Sequence, residues 1–211
     1  MRTLLAFLSV SFLCAQSVSV GVKGGVRTTN AVYGQLVDES KRYVVGPAVE
    51  FELPHKLSLE IDALYSRHGY SRGIDFRGLF SSFERERANS WEFPFLVKGN
   101  FALGRQHLFV GAGYSAQNIR GAVDGLTIVT DPATNRSQAS RFQSPTHWNV
   151  GHGFVTAAGL RFTKGYLQIS PEFRYTRWIR PAIGYFGSRG DTFESTPNQV
   201  DFILGISWKK R

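Results

Sequence analysis

The sequence holds one cysteine, one methionine and no apolar run near the ~18 residues that a membrane-crossing helix needs. Cys14 is that cysteine and lies in the N-terminal segment. A chain trimmed of this segment has no disulfide, no thiolate metal site and no cysteine nucleophile. There is no phosphate-cradling loop of the P-loop type, no Gly-x-Gly-x-x-Gly opening a helix, and no internal repeat. Helix-type periodicity of Ala, Leu and Glu is scarce. What is present is glycine (22 residues), aromatic residues (14%) and a formal net charge of +9. Chains of this texture are all-β.

The N-terminus reads as an export signal. Arg2 gives a short basic region, Leu4 to Leu13 an apolar core, and Cys14-Ala15-Gln16-Ser17 the small residues that precede cleavage. Cleavage fits after Ala15 or after Ser17; a buried first helix is the alternative. Leu13 before Cys14 does not match a lipid-modified cysteine. The division expected is 1–17 signal peptide and 18–211 one β domain. Export argues against nucleic acid as the reason for the basic balance. Loss of Arg2 leaves 24 basic and 16 acidic residues.

Eight segments alternate with period 2, the mark of strands with two unlike faces. They are Val18 to Arg27, Tyr43 to Leu53, Leu57 to His68, Ser90 to Phe101, Leu108 to Asn118, Gly153 to Phe162, Tyr166 to Trp178 and Gln199 to Trp208. Each is about ten residues, the length with which a tilted strand crosses a bilayer. Connections alternate too. Pro54-His55-Lys56, Ala102 to His107 and Lys164-Gly165 are short, whereas 28–42, 69–89, 119–152 and 179–198 are long and polar. Short turns at one end and long loops at the other predict an eight-stranded antiparallel up-and-down transmembrane β-barrel.

Alternation does not say which face is inside. A soluble lipocalin-type barrel would turn the apolar face inward. Here the polar face is rich in Gly, Ala and Ser with isolated charges, which suits a narrow lumen. Tyr65, Trp91, Tyr114 and Tyr175 collect at the loop end of the apolar face, and Phe51, Phe101, Phe162 and Trp208 at the turn end. Two aromatic girdles of this kind mark the two interfaces of a bilayer. The predicted lumen charges are Lys23, Arg27, Lys98, Arg161 and Arg174 against Glu50, Glu52, Glu60, Asp62, Glu92, Glu172 and Asp201. In hydrocarbon an unpaired strand edge is untenable, so the last strand must pair with the first. That would bring Asp201 near Lys23 and Arg27. The turn at 54–56 sets Glu50 opposite Glu60, with Lys98 or Arg161 expected between or beside them; water or a shared proton is the alternative. Arg67 and Arg177, on the lipid-facing parity at the rim, are candidates for contact with lipopolysaccharide phosphates; ordinary rim charges in solvent are the alternative.

Catalytic signals are thin. His68 shares a strand face with Ser66, the one suggestive nucleophile–base pair. His55 and His107 fall in turns. His147 and His152 lack a third ligand nearby, and Asp124 and Asp131 lack calcium-loop spacing. No metal or cofactor is expected.

With these features the chain resembles the small outer-membrane β-barrel proteins of the OmpA transmembrane-domain, OmpX and PorT-like type. The resemblance rests on the signal peptide, the eight alternating strands and the texture of Pro47-Ala48-Val49-Glu50-Phe51-Glu52-Leu53 and Pro171-Glu172-Phe173-Arg174-Tyr175. The closing strand Val200 to Trp208 looks like the C-terminal signal read by the barrel-assembly machinery. It departs from that pattern in the Lys209-Lys210-Arg211 tail, and no peptidoglycan-binding domain follows. The resemblance implies a bacterial outer-membrane location and partners among outer-membrane lipids and lipopolysaccharide. The role expected is structural or surface contact, with Phe76, Phe80, Phe83, Ile128, Phe142 and Trp148 as candidates for an extracellular ligand. A small pore or transporter is one alternative, and a lipid-modifying enzyme another.

Overall fold

The computed structural model describes residues 17–30, 37–76, 79–104, 106–145, 149–180, 184–186, 192–194 and 196–210. The signal segment up to residue 16 lies outside them. Strands in chain order are β1 Ser17–Arg27, β2 Val37–Asp38, β3 Tyr43–Leu53, β4 Leu57–Asp62, β5 Leu64–Phe76, β6 Phe80–Leu103, β7 Gln106–Asp131, β8 Arg136–Pro145, β9 Asn149–Lys164, β10 Leu167–Arg180, β11 Gly184–Phe186, β12 Thr192–Glu194 and β13 Asn198–Lys210. No helix occurs among the described residues.

Eight staves form a closed antiparallel ring. Their order is β1, β3, β4 with β5, β6, β7, β9, β10, β13, and β13 pairs again with β1. β4 and β5 are one stave with a single gap at Ala63. Ala63 donates its N–H to the Pro47 carbonyl at 3.0 Å, and Pro47 has no N–H to return.

Stepping across paired residues from Ser17 leads through Glu52, Ser58, Lys98, Gly111, Ala157, Arg174 and Asp201. The path returns to the first strand at Arg27, ten residues beyond its start. Eight strands with that offset tilt by about 40° and enclose a ring of about 8 Å backbone radius.

The polarity is that of a globular protein reversed. Val22, Val97, Val110, Phe154, Phe173, Phe202 and Leu204 are exposed on the outside. Lys23, Glu60, Asp62, Glu92, Lys98, Glu172, Arg174 and Asp201 are buried inside. The lipocalin-type alternative is thereby overturned. The apolar residues that do point inward, such as Leu96, Phe109 and Val155, are few and lie among charges.

Two expectations need correction. The staves are not all about ten residues, since β6 has 24 and β7 has 26. The segments 69–89 and 119–152 are largely not irregular loops. β5 and β6 stay paired up to Phe76 and Phe80, β6 and β7 up to Phe80 and Val129, and β8 adds to the edge of β7. These strands continue past the barrel as a projecting sheet. Neither face of that sheet is consistently apolar, with Phe83, Leu126 and Phe142 set among charged and polar residues, so it gave no regular hydrophobic alternation.

The short connections sit at the other end. The two-residue hairpin falls one position later than expected, at Gly165-Tyr166, because Lys164 pairs with Leu167. Gly165 has φ of 63°, which only glycine adopts without cost. His55 and Lys56 hold φ of 63° and 62° without being glycine. Gly165→Ala is therefore expected to lose about 1–2 kcal/mol, and Lys56→Gly to gain up to about 1 kcal/mol. Reversible urea unfolding in phospholipid vesicles measures both; equal midpoints for all three proteins would refute the turn assignment.

Candidate functional site

Inward parity on seven staves brings the charged side chains together in tiers. Nearest the turns, Glu52 accepts from Lys209 at 2.5 Å and from the Ser17 hydroxyl at 2.6 Å. Next, Arg161 donates to both oxygens of Glu50 at 2.7 Å, and Ser58 donates to Glu50 at 2.5 Å. The Phe109 ring fills the space beside this pair. Lys98 Nζ lies 4.2 Å from its centroid and the Arg161 guanidinium carbon 5.6 Å from it. Gly159 makes that possible, since a Cβ there would come within 2.5 Å of the ring and 2.4 Å of the Pro171 carbonyl.

The middle tier joins three cations to three carboxylates. Lys23 reaches Glu60 at 2.5 Å, Glu172 at 3.0 Å and Asp62 at 3.2 Å. Lys98 reaches Glu60 at 2.7 Å and Glu172 at 3.1 Å. Arg174 reaches Glu172 at 2.5 Å and Asp62 at 2.7 Å. Above it Arg27 donates to Asp201 at 2.9 Å and Glu92 at 3.1 Å. Gln199 bridges the same two carboxylates at 2.7 and 2.9 Å and accepts from the Trp178 indole at 3.1 Å.

All twelve charges expected in the lumen are in this network. One pairing differs from expectation. Lys23 does not meet Asp201, because the closing register sets Asp201 opposite Arg27 while Lys23 turns toward Glu60 and Glu172. Glu50 and Glu60 face each other across the ladder, with Arg161 and Lys98 beside them as expected. Glu50 takes Arg161, and Glu60 takes Lys23 and Lys98. Lys209 is not a free tail residue: residues 201 to 209 keep one parity and carry it into the mouth of the lumen. With it, six cations meet seven carboxylates. A cavity of only about 20 Å³ remains beside Lys23, Glu50, Glu60 and Arg161. That is room for one water molecule.

Outside, Tyr43, Tyr65, Trp91 and Phe93 touch in sequence, with ring centroids 6.3, 5.4 and 6.5 Å apart. Tyr114 stacks on His152 and is hydrogen-bonded to it. Tyr175 donates to Asn198 at 2.7 Å. Phe51, Phe101, Phe162 and Trp208 ring the opposite end. With strands tilted about 40°, the two aromatic bands stand about 20 Å apart. Tyr43 was missed because it opens its strand right after a polar loop.

Beyond the upper band the sheet carries two open features. One is a cleft of about 980 Å³ lined by Val37, Phe83, Leu126, Phe142, Arg85 and Arg141. Phe83 and Phe142 thus share one surface, whereas Trp148 and the Phe76 side chain lie outside the described residues. The other is a groove of about 490 Å³ lined by Lys41, Arg67, Gly69, Arg85 and Arg87, with Glu39 and His68. Glu39 pairs with Arg85 at 2.5 Å, and hydrogen bonds from Ser71 and Arg85 hold its carboxyl below the usual range. Arg177 is engaged by Asn198 at 2.6 Å.

Ser66 and His68 are buried, with Oγ 3.4 Å from Nε2. His68 Nδ1 has no hydrogen-bond partner among the described residues, so nothing orients the imidazole as a base. His68 adjoins a space of about 50 Å³ and also lines the groove of about 490 Å³. His147 lies outside the described residues. No three His, Asp or Glu side chains converge as metal ligands among those described.

No family model matches the chain, and no curated protein matches it either. Its fold is similar to that of several solved structures, among them three small barrels. One is the N-terminal β-barrel domain of Pseudomonas aeruginosa OprF, 11% identical over 93% of this chain and 98% of that one, with a TM-score of 0.42. Another is a major outer membrane protein of Thermus thermophilus, 10% identical over 92% and 98%, TM-score 0.42. The third is Neisserial surface protein A, 10% identical over 91% and 96%, TM-score 0.40. These likenesses concern architecture and say nothing of a ligand or a role.

The middle tier makes a quantitative expectation. Arg174→Met leaves Glu60, Asp62 and Glu172 to share Lys23 and Lys98, one cation short, and should cost about 3–5 kcal/mol. Arg174→Met combined with Asp62→Asn restores two cations to two carboxylates and should cost less than the single change. Urea unfolding in vesicles, read by tryptophan emission, tests this; a double variant weaker than the single one contradicts the balance argument.

Proposed function

We propose that the chain is an exported, non-enzymatic protein of the bacterial outer membrane, a closed barrel that holds a β-sheet up at the cell surface for contact. The observation that carries this reading is the reversed polarity of a hydrogen-bonded ring between two aromatic bands. A continuous belt of exposed Val, Leu and Phe is costly in water and favourable in lipid. The ring leaves no backbone edge for the bilayer to solvate. Lipid and lipopolysaccharide are then its surroundings, and the barrel-assembly machinery would read its closing strand.

The filled lumen sets this reading against that of a pore. Charges buried and paired across the lumen oppose a continuous water path. In a planar bilayer the purified protein is expected to give no steady conductance. A stable, ion-selective open level in the unmodified protein would overturn the closed-barrel reading and favour a channel.

Export implies cleavage of the signal. Ser17 opens β1 and donates to Glu52, so cleavage after Ala15 preserves that bond and cleavage after Ser17 removes it. The intact mass of protein from outer membranes is expected to begin at Gln16. A mass beginning at Val18 would show that the bond is dispensable, and an uncleaved mass would count against the signal.

A further inference from the structure

We propose that the groove above the aromatic band binds an outer-leaflet glycolipid bearing more than one phosphate. This rests on the membrane reading above and adds a specific site, the residues that form it and the requirement for more than one phosphate.

The groove carries a local excess of positive charge among the described residues. Inside, every carboxylate meets a cation. Here Lys41, Arg67, Arg85 and Arg87 surround the single carboxylate Glu39, which Arg85 occupies. Among the described residues, no carboxylate pairs with Lys41, Arg67 or Arg87. All three are exposed. Like charges held side by side repel one another, and a bound polyanion removes that cost.

Position identifies the anion. These side chains share outward parity with Tyr43, Tyr65 and Trp91, so the groove opens to the lipid side of the wall and not to the lumen. Lys41 is two residues beyond Tyr43 and Arg67 two beyond Tyr65, which puts both about 5 Å above the aromatic band. Arg87 and Arg85 are four and six residues beyond Trp91, about 10 and 15 Å above it. The Gly69 position between Arg67 and Ser71 carries no side chain and leaves the floor open. A phospholipid has its phosphate in one plane and meets only the lowest pair. A ladder of cations spread over that height fits a headgroup whose anionic groups are stacked outward from the bilayer. Guanidinium groups suit phosphate through paired hydrogen bonds.

The test uses the full folded barrel in detergent micelles, with native mass spectrometry to count bound lipid. The probes are bisphosphorylated lipid A, phosphatidylglycerol and inorganic pyrophosphate. One tightly held lipid A per barrel is expected, with at least tenfold weaker retention of phosphatidylglycerol and none of pyrophosphate. Arg67→Gln with Arg87→Gln should lower lipid A retention at least tenfold, Arg87→Gln alone should lower it partly, and Lys164→Gln at the turn end should leave it unchanged. Equal retention by the double variant overturns the proposal. Equal retention of phosphatidylglycerol removes the requirement for several phosphates, and tight pyrophosphate binding reassigns the groove to a soluble polyanion; either result overturns it as well. Heat-modifiable gel mobility of each variant reports insertion independently. A barrel that never inserts sinks the membrane reading, while an inserted barrel without lipid selectivity sinks only this one.

Discussion

Everything in this structure depends on the pairing of β13 with β1. Hydrocarbon offers nothing to an unpaired N–H or C=O, and each one left open costs several kcal/mol. A sheet of eight strands can satisfy that condition only by closing. The ten-residue offset at closure then fixes the tilt, the tilt fixes the radius, and the radius decides how much side chain the interior can hold. None of these is a separate choice of the sequence. At about 8 Å from axis to backbone, inward side chains from opposite walls meet.

That meeting explains why the interior is ionic and yet stable. A buried charge alone would not survive, and an isolated buried pair contributes little. Here the partners come from staves far apart in sequence. Glu60 on β4, Lys23 on β1, Lys98 on β6, and Glu172 and Arg174 on β10 share one tier. The network therefore ties the walls across the axis, which ladder hydrogen bonds cannot do. The arrangement is a core turned inside out. Packing there is ionic because the apolar residues are needed outside.

Parity was legible in the sequence because it is a local property. Period-2 alternation assigned Lys23, Glu92 and Arg174 to the inside and Trp91 and Phe173 to the outside without knowledge of register. Partnership was not legible, because it depends on the closing offset. That is why Asp201 could be placed near Arg27 correctly and near Lys23 wrongly. The projecting sheet escaped notice for a different reason. Arg85 and Arg87 alternate with Glu84 and Glu86, and Arg136 to Pro145 is polar on both faces. Period 2 is visible only when one face is apolar, and above the membrane neither face needs to be. Alternating charge sign in Glu84-Arg85-Glu86-Arg87 was the signal that could have revealed it.

The pairing of β5, β6 and β7 runs through the aromatic band without a break, from Glu92 to Phe80 on the central strand. The sheet above the membrane is therefore not a loop that samples positions but an extension of the wall. Its residues have heights set by counting from Tyr65 and Trp91, and those rings are held at the interface by the preference of aromatic side chains for it. The same constraint that closes the barrel in lipid thus places Arg67, Arg87 and Phe83 at defined distances from the bilayer. The surface contact proposed above would thus be positioned by the membrane anchor, since the two are parts of one continuous sheet.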